Sequence, residues 1–181
     1  MGVFRRSLAW HPNIMPTVGT VEIVQAASPA DIAAVRELFL AYAGWLGFSL
    51  AYQKFDEELS ALPGSYAGPR GRLLLARVNG AAAGCGAIRK LEPGVCEMKR
   101  LYVRAAFRGF GLGRGLAERL IAEARGIGYW AMRLDTVPEK MGEAARLYGA
   151  LGFQEIPAYY AGARRGTLYF ELPLHPSTAS V

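Results

Sequence analysis

Residues 108–115 read Arg-Gly-Phe-Gly-Leu-Gly-Arg-Gly, four glycines alternating with larger side chains. The segment follows a strand-like run and precedes an amphipathic helical pattern. Glycine lets the backbone approach a ligand closely and adopt positive φ. The first turn of a helix offers unpaired N–H groups and the positive end of its dipole. Together these make an anion site suited to a pyrophosphate. Arg108 and Arg114 flank it, and either can reach a phosphate oxygen. Two familiar nucleotide signatures fail here. No Gly-Lys-Ser/Thr closes the loop, so it is not a P-loop. From Gly109 or Gly111 the third glycine of a dinucleotide fingerprint falls on Arg114 or Leu116. A tight turn with small residues for helix–sheet packing is the plainer alternative. Four glycines flanked by arginines speak against it.

The elements that must hold this loop follow from periodicity. Residues 20–26 alternate as a strand. Ser28-Pro29-Ala30-Asp31 opens a helix: Ser28 caps, Pro29 suits the first position and Asp31 completes a capping box. Ile32, Val35, Leu38, Phe39 and Tyr42 continue it. A short second helix fits residues 53–62. Residues 72–78 and 81–90 flank Asn79-Gly80, a two-residue hairpin turn, and residues 95–103 make a third antiparallel strand after Pro93-Gly94. Leu112, Leu116, Leu120, Ile121, Ala124 and Ile127 mark one helix face that ends at Gly126 and Gly128. Residues 130–136 read as a strand, 142–151 as a helix, and 153–156 and 167–172 as two last strands. A meander followed by a strand–helix–strand crossover predicts an α/β (α+β) domain over residues 20–173, with six to seven mostly antiparallel strands and about four helices. Residues 1–19 read as an irregular arm and 174–181 as a tail.

Composition limits the function classes. With 52% hydrophobic and 20% charged residues the chain reads as globular, and no apolar run is long enough for a bilayer. No apolar stretch follows Arg5 and Arg6, which argues against a signal peptide. The net charge of +6 suggests a nucleic-acid partner, but the basic residues are spread along the chain and several adjoin the glycine loop, so a polyphosphate ligand accounts for them better. Cys85 and Cys96 lie on consecutive strands, where Cys96 would face a residue near Arg89, so no disulfide is expected. With only His11 and His175 besides, no metal cluster is expected, and the default compartment is the reducing cytoplasm.

Three segments in order resemble the GCN5-related N-acetyltransferase family. Arg108, Gly111 and Gly113 match its Gln/Arg-x-x-Gly-x-Gly/Ala loop. Residues 97–103, Glu-Met-Lys-Arg-Leu-Tyr-Val, resemble its central strand. Residues 144–153 resemble its Ala-x-x-x-Tyr-x-x-x-Gly-Phe helix end. The resemblance implies acetyl-CoA as co-substrate, with the pyrophosphate on Arg108, Gly109, Phe110, Gly111, Leu112, Gly113 and Arg114. It implies main-chain pairing of the pantetheine arm with Leu101 and Val103, in a gap where the central strand splays from the next. It also implies Tyr148 as the acid for the leaving thiolate, the Leu101 amide as oxyanion donor and Glu97 as base, acting through water. The chemistry requires such groups: the amine must be neutral to attack, and the oxyanion needs an N–H. Tyr148 also reads as a core aromatic, and Glu97 as a strand charge paired with Lys99. One departure is Met141, where the family often has an asparagine seven residues before the tyrosine.

Tyr42, Trp45, Tyr52, Tyr159 and Tyr160 are placed to wall an acceptor pocket, or to pack in the core. Arg164-Arg165 either attracts an acid group or forms a solvated turn. The leading expectation is acetyl transfer to a primary amine of a small molecule through a ternary complex, without membrane or nucleic acid, and compatible with a homodimer. Acetylation of a protein lysine or N-terminus is the second enzyme reading. A catalytically silent CoA-binding regulatory module is the alternative of another class.

Overall fold

A computed structural model describes residues 20–174, apart from the side chains of Tyr52 and Lys140. The expected arm, His11 and His175, and the tail from residue 175 onward lie outside the described residues.

Among the described residues seven strands form one sheet: β1 (Val21–Gln25), β2 (Arg72–Val78), β3 (Ala81–Glu92), β4 (Val95–Val103), β5 (Ala131–Thr136), β6 (Gln154–Ile156) and β7 (Leu168–Pro173). Their order is β1-β2-β3-β4-β5-β7-β6, and β4 with β5 is the parallel pair. Four helices cover it: α1 (Pro29–Leu46), α2 (Phe55–Ala61), α3 (Leu112–Ile127) and α4 (Pro138–Ala150). The expected mixed sheet and helix count are observed. Leu174, the first residue of the expected tail, is buried, and its N–H donates to the Trp130 carbonyl.

Strand alternation sends side chains to two cores. Leu74, Ala76, Met98 and Met132 pack with Leu116 and Leu120 of α3 on one face. Leu73, Leu75, Cys85 and Ala87 pack with Val35, Leu38 and Phe39 of α1 on the other. Both cysteines are buried and free, with Cys96 opposite Lys90 and Cys85 opposite Tyr102. Asn79 and Gly80 take φ of 51° and 80°, as the predicted turn requires.

The start of α1 fixes how it lies on the sheet. Ser28 Oγ accepts from Asp31 N at 3.1 Å, and Asp31 Oδ2 accepts from Ser28 N at 3.1 Å. Asp31 Oδ1 also accepts from Arg77 of β2 at 2.6 Å. The Arg77 and Ser28 hydrogen bonds hold the Asp31 carboxyl well below its ordinary range. Asp31→Ala is expected to cost about 1–2 kcal/mol of stability at pH 7, read by urea unfolding. A depressed carboxyl stabilises the fold above its unfolded value and ceases to as pH falls. The difference between wild type and variant therefore shrinks below about pH 4.

Two features of β4 shape the site. Its pairing with β5 covers only Val95–Glu97 against Ala131–Arg133, after which both strands continue apart. This is the splay implied by the resemblance. The register with β3 also shifts: Cys85 faces Tyr102 and Ala87 faces Lys99, so Gly86 alone spans Arg100 and Leu101. Arg100 takes φ 58° at this bulge. A Cβ on Gly86 would meet Leu120 Cδ1 at 2.9 Å and Leu101 Cδ1 at 3.3 Å, so a side chain there would have to push both leucines aside.

Candidate active site

The glycine loop leaves β4 through a short 3-10 turn at Ala105–Phe107 and enters α3 with Gly111 as N-cap. Gly109 and Gly111 take φ of 85° and 73°, and a Cβ at either would meet nothing within 4 Å. Conformation, rather than crowding, demands glycine there. No side chain caps the helix, and its first backbone bond runs from Gly115 N to Gly111 O at 2.9 Å. The amides of Leu112, Gly113 and Arg114 thus stand at the open end of a 16-residue helix. They face a groove of about 690 Å³ that runs past Leu101, Val103, Arg108, Met141 and Leu147. A bent, uncapped glycine turn beside a groove of this volume fits the pyrophosphate and arm of CoA. Gly111→Ala should strain the turn by about 1–2 kcal/mol and raise the acetyl-CoA Kd roughly tenfold, measured by calorimetry.

The flanking side chains are already engaged. Arg108 Nε donates to the Val103 carbonyl at 3.1 Å, and its guanidinium lies 5.1 Å from the Trp45 ring centroid. Arg114 pairs with Glu118 at 2.8 Å. Phe110 is 76% exposed, so its side chain stands clear of the groove. Trp45, expected on the acceptor side, lines this groove instead.

Where β4 and β5 part, a small inner cavity of about 30 Å³ is lined by Leu101, Tyr148, Met141, Lys99, Asp135 and Gln53, among others. Roughly 10–15 Å³ suffices for a water, so it can also take an amino group. Tyr148 is buried, its ring against Phe153 at 5.6 Å and Phe170 at 6.4 Å, and it also lines the cavity. Met141 interrupts α4 with φ −125° and accepts from Thr136 Oγ1 at 3.5 Å through sulfur. A thioether thus occupies the place where the family often has an amide.

Beside the cavity lies a buried polar patch that alternation alone would have assigned to solvent. Glu97 is 1% exposed; Arg89 Nε donates to it at 2.8 Å and Tyr159 OH at 2.9 Å, with Lys99 Nζ 3.8 Å away. Lys99 donates to Asp135 Oδ1 at 3.1 Å, while Gln53 Nε2 and Tyr160 OH donate to Oδ2 at 3.2 and 3.1 Å. Burial first, and then the neighbouring carboxylates, push the Tyr159 and Tyr160 hydroxyls above their ordinary range, which keeps both as neutral donors. Arg100 is buried under Glu58, with Nη2–Oε2 at 2.6 Å and Nε–Oε1 at 2.9 Å. Lys99 is the cation expected beside Glu97, while Arg100, Asp135, Gln53 and Glu58 carry no sequence signal that marks them for the site. An outer cleft of about 270 Å³ adjoins the patch and shares Gln53 with the inner cavity. Tyr42 is buried, and Arg164 sits 4.6 Å over the Phe48 ring and 3.2 Å from Glu139. Among the described residues no helix is long and apolar enough to cross a membrane, and no group of three His, Cys, Asp or Glu could hold a metal.

A splayed parallel pair, an uncapped glycine turn and a groove joining them define an acyl-CoA-dependent acyltransferase. The sequence model of the acetyltransferase (GNAT) family matches residues 32–153, and the chain belongs to that family. An uncharacterized N-acetyltransferase of Schizosaccharomyces pombe is 35% identical over 156 residues, 85% of this chain and 95% of that one. An IAA acetyltransferase of Azospirillum brasilense is 39% identical over 105 residues, 57% of this chain and 68% of that one. The yncA protein of Salmonella typhimurium, solved with its cofactor acetyl-CoA, shares the fold at a TM-score of 0.63 and 24% identity, covering 88% of this chain and 96% of that one. The chain is therefore an acetyl-CoA-dependent N-acetyltransferase.

Proposed function

We propose that the enzyme moves the acetyl group from acetyl-CoA directly to a primary amine of a small molecule, with both substrates bound together. The observation that carries this reading is the tyrosine cover over the polar patch. Tyr159 and Tyr160, from residues 157–167, cover the polar patch and hydrogen-bond to Glu97 and Asp135. The adjoining cleft of about 270 Å³ suits a small polar molecule better than an extended peptide. The IAA acetyltransferase among the relatives supports a small-molecule acceptor. The unpaired thiols of Cys85 and Cys96 accord with a cytoplasmic setting.

In this reading the amides of the turn from Gly109 to Arg114 hold the pyrophosphate. The main chain of Leu101 and Val103 pairs with the pantetheine arm, Arg108 leaving the Val103 carbonyl as the arm arrives. The Leu101 N–H, beside the bulge that Gly86 spans, stabilises charge developing on the acetyl oxygen. Tyr148 protonates the departing sulfur. Glu97 belongs to the polar patch that prepares the amine.

Thiol release from acetyl-CoA, measured across small amines and peptides, tests the reading. Release with small amines and little with peptides is expected. Release confined to peptides would make it a protein acetyltransferase. Tight CoA binding with no release from any amine would make it a regulatory module.

A further inference from the structure

The heights of two carboxylates along the strands differ. Glu97 faces Arg133 in the last pair that joins β4 to β5. Asp135 stands two residues further along β5, where the strands have separated. Asp135 lines the inner cavity together with Leu101 and Tyr148, and Glu97 is absent from that lining. An ionised carboxylate accepts at about four positions, so the three donors on Asp135 leave one open. Glu97 likewise has three donors, Arg89 Nε and Nη2, both at 2.8 Å, and Tyr159 OH, so its place outside the cavity lining, and not its occupancy, sets it apart.

The geometry points to Asp135 as the base that takes the proton an acceptor ammonium must lose, with Lys99 fixing its charge and Glu97 positioning Lys99 and Tyr159. This rests on the amine-acceptor reading above. The ammonium gives one proton to an Asp135 oxygen, directly or through one water. The freed lone pair forms the N–C bond. The C–S bond breaks with its electron pair on sulfur, which takes the Tyr148 proton. The second amine proton, shed as the amide forms, restores the Tyr148 hydroxyl through the shared cavity. The net proton leaves from Asp135. An amine in the outer cleft is separated from Asp135 by Gln53, which lines both spaces.

The polar groups around Asp135 are Lys99 from β4, Gln53 from the turn before α2, Tyr159 and Tyr160 from residues 157–167, Tyr169 from β7 and Tyr148 from α4. Of these only Lys99 carries charge at neutral pH, and Arg89 reaches Glu97 alone of the two carboxylates. Two cation deletions therefore distinguish the bases. With the best amine of the panel, Asp135→Asn should lower kcat at least about 100-fold while acetyl-CoA affinity is kept. Lys99→Met should move the acid limb of the kcat profile to higher pH, because a carboxylate without its cation binds protons more readily. Arg89→Met should leave that limb in place. Because Lys99 also lies 3.8 Å from Glu97, Arg89→Met is the deciding variant: an acid limb that moves with it, whatever Lys99→Met does, overturns the assignment in favour of Glu97. An Asp135→Asn enzyme within about tenfold of wild type overturns it as well. Should Asp135→Asn fail to fold, the two cation variants decide alone. A wild type silent toward every amine removes the proposed function, and this base with it.

Discussion

Tyr148→Phe lowers the rate of thiol release at saturating substrates by about 100-fold or more, while the acetyl-CoA Kd stays within about threefold. The ring packs on Phe153 and Phe170, and phenylalanine preserves those contacts. What is lost is one hydroxyl, for which no hydrogen-bond partner is found among the described residues and which belongs to the wall of the inner cavity. Burial foremost, then the neighbouring Tyr42 and Asp135, raises the Tyr148 hydroxyl above its ordinary range. It therefore remains a proton donor throughout the neutral range. A sulfur leaving with negative charge in a dry gap has little water to protonate it, and loses the most when that donor is removed. Single-turnover kinetics and acetyl-CoA titration check the prediction. Wild-type turnover in the variant would leave Tyr148 a core aromatic.

The second large effect is structural and comes from Glu58→Gln. Arg100 sits at φ 58°, in a region that costs a non-glycine residue about 1–2 kcal/mol. Its side chain is held by the two-point pair with Glu58, by Gln53 Oε1 at 2.7 Å and by the Phe55 ring 5.2 Å away. Removing the carboxylate leaves a buried guanidinium uncompensated, worth about 3–5 kcal/mol. For a domain of this size the melting temperature should fall by about 10 °C. Because the same bulge adjoins Leu101, whose N–H is the proposed oxyanion donor, turnover should fall with it, unlike a substitution in the apolar core that costs equal stability. The sign with pH follows. Burial would raise the Glu58 carboxyl, but the Arg100 hydrogen bonds and charge outweigh it and hold it below its ordinary value. The stabilisation is present above about pH 4.3 and is lost on acidification, so the gap between wild type and variant narrows at acid pH. Melting curves at neutral and acid pH measure both parts. An unchanged melting temperature would show that the pair is not what secures the bulge.

Local chemistry made much of the fold legible. Asn79-Gly80 and the Ser28–Asp31 capping box act within a few residues, and each has the backbone its residues demand. The glycine turn was legible because an uncapped helix after a strand leaves amides for an anion, whatever else the fold does. The polar patch was not. Cys96 and Met98 alternate with Glu97 and Lys99, which reads as a strand with one wet face. That face is dry because tyrosines some 60 residues downstream fold over it, as the Glu97–Tyr159 hydrogen bond shows. Arg100 was hidden for a similar reason. A positive φ in a strand leaves no mark on the alternation, and its cause lies in Gly86 on one neighbour and Glu58 beneath it. Trp45 has helical spacing suited to either side of α1, and its contacts with Arg108 and with Tyr102 of β4 place it on the groove side.

A crystal structure with acetyl-CoA bound tests the account most directly. The expected result has the pyrophosphate on the amides of Gly109 through Arg114, the pantetheine arm along Leu101 and Val103, and the acetyl oxygen within hydrogen-bond reach of Leu101 N. Tyr148 OH should lie against the sulfur. Acetyl-CoA bound with its thioester outside the gap between β4 and β5, or with the Leu101 amide turned from the acetyl oxygen, would contradict it.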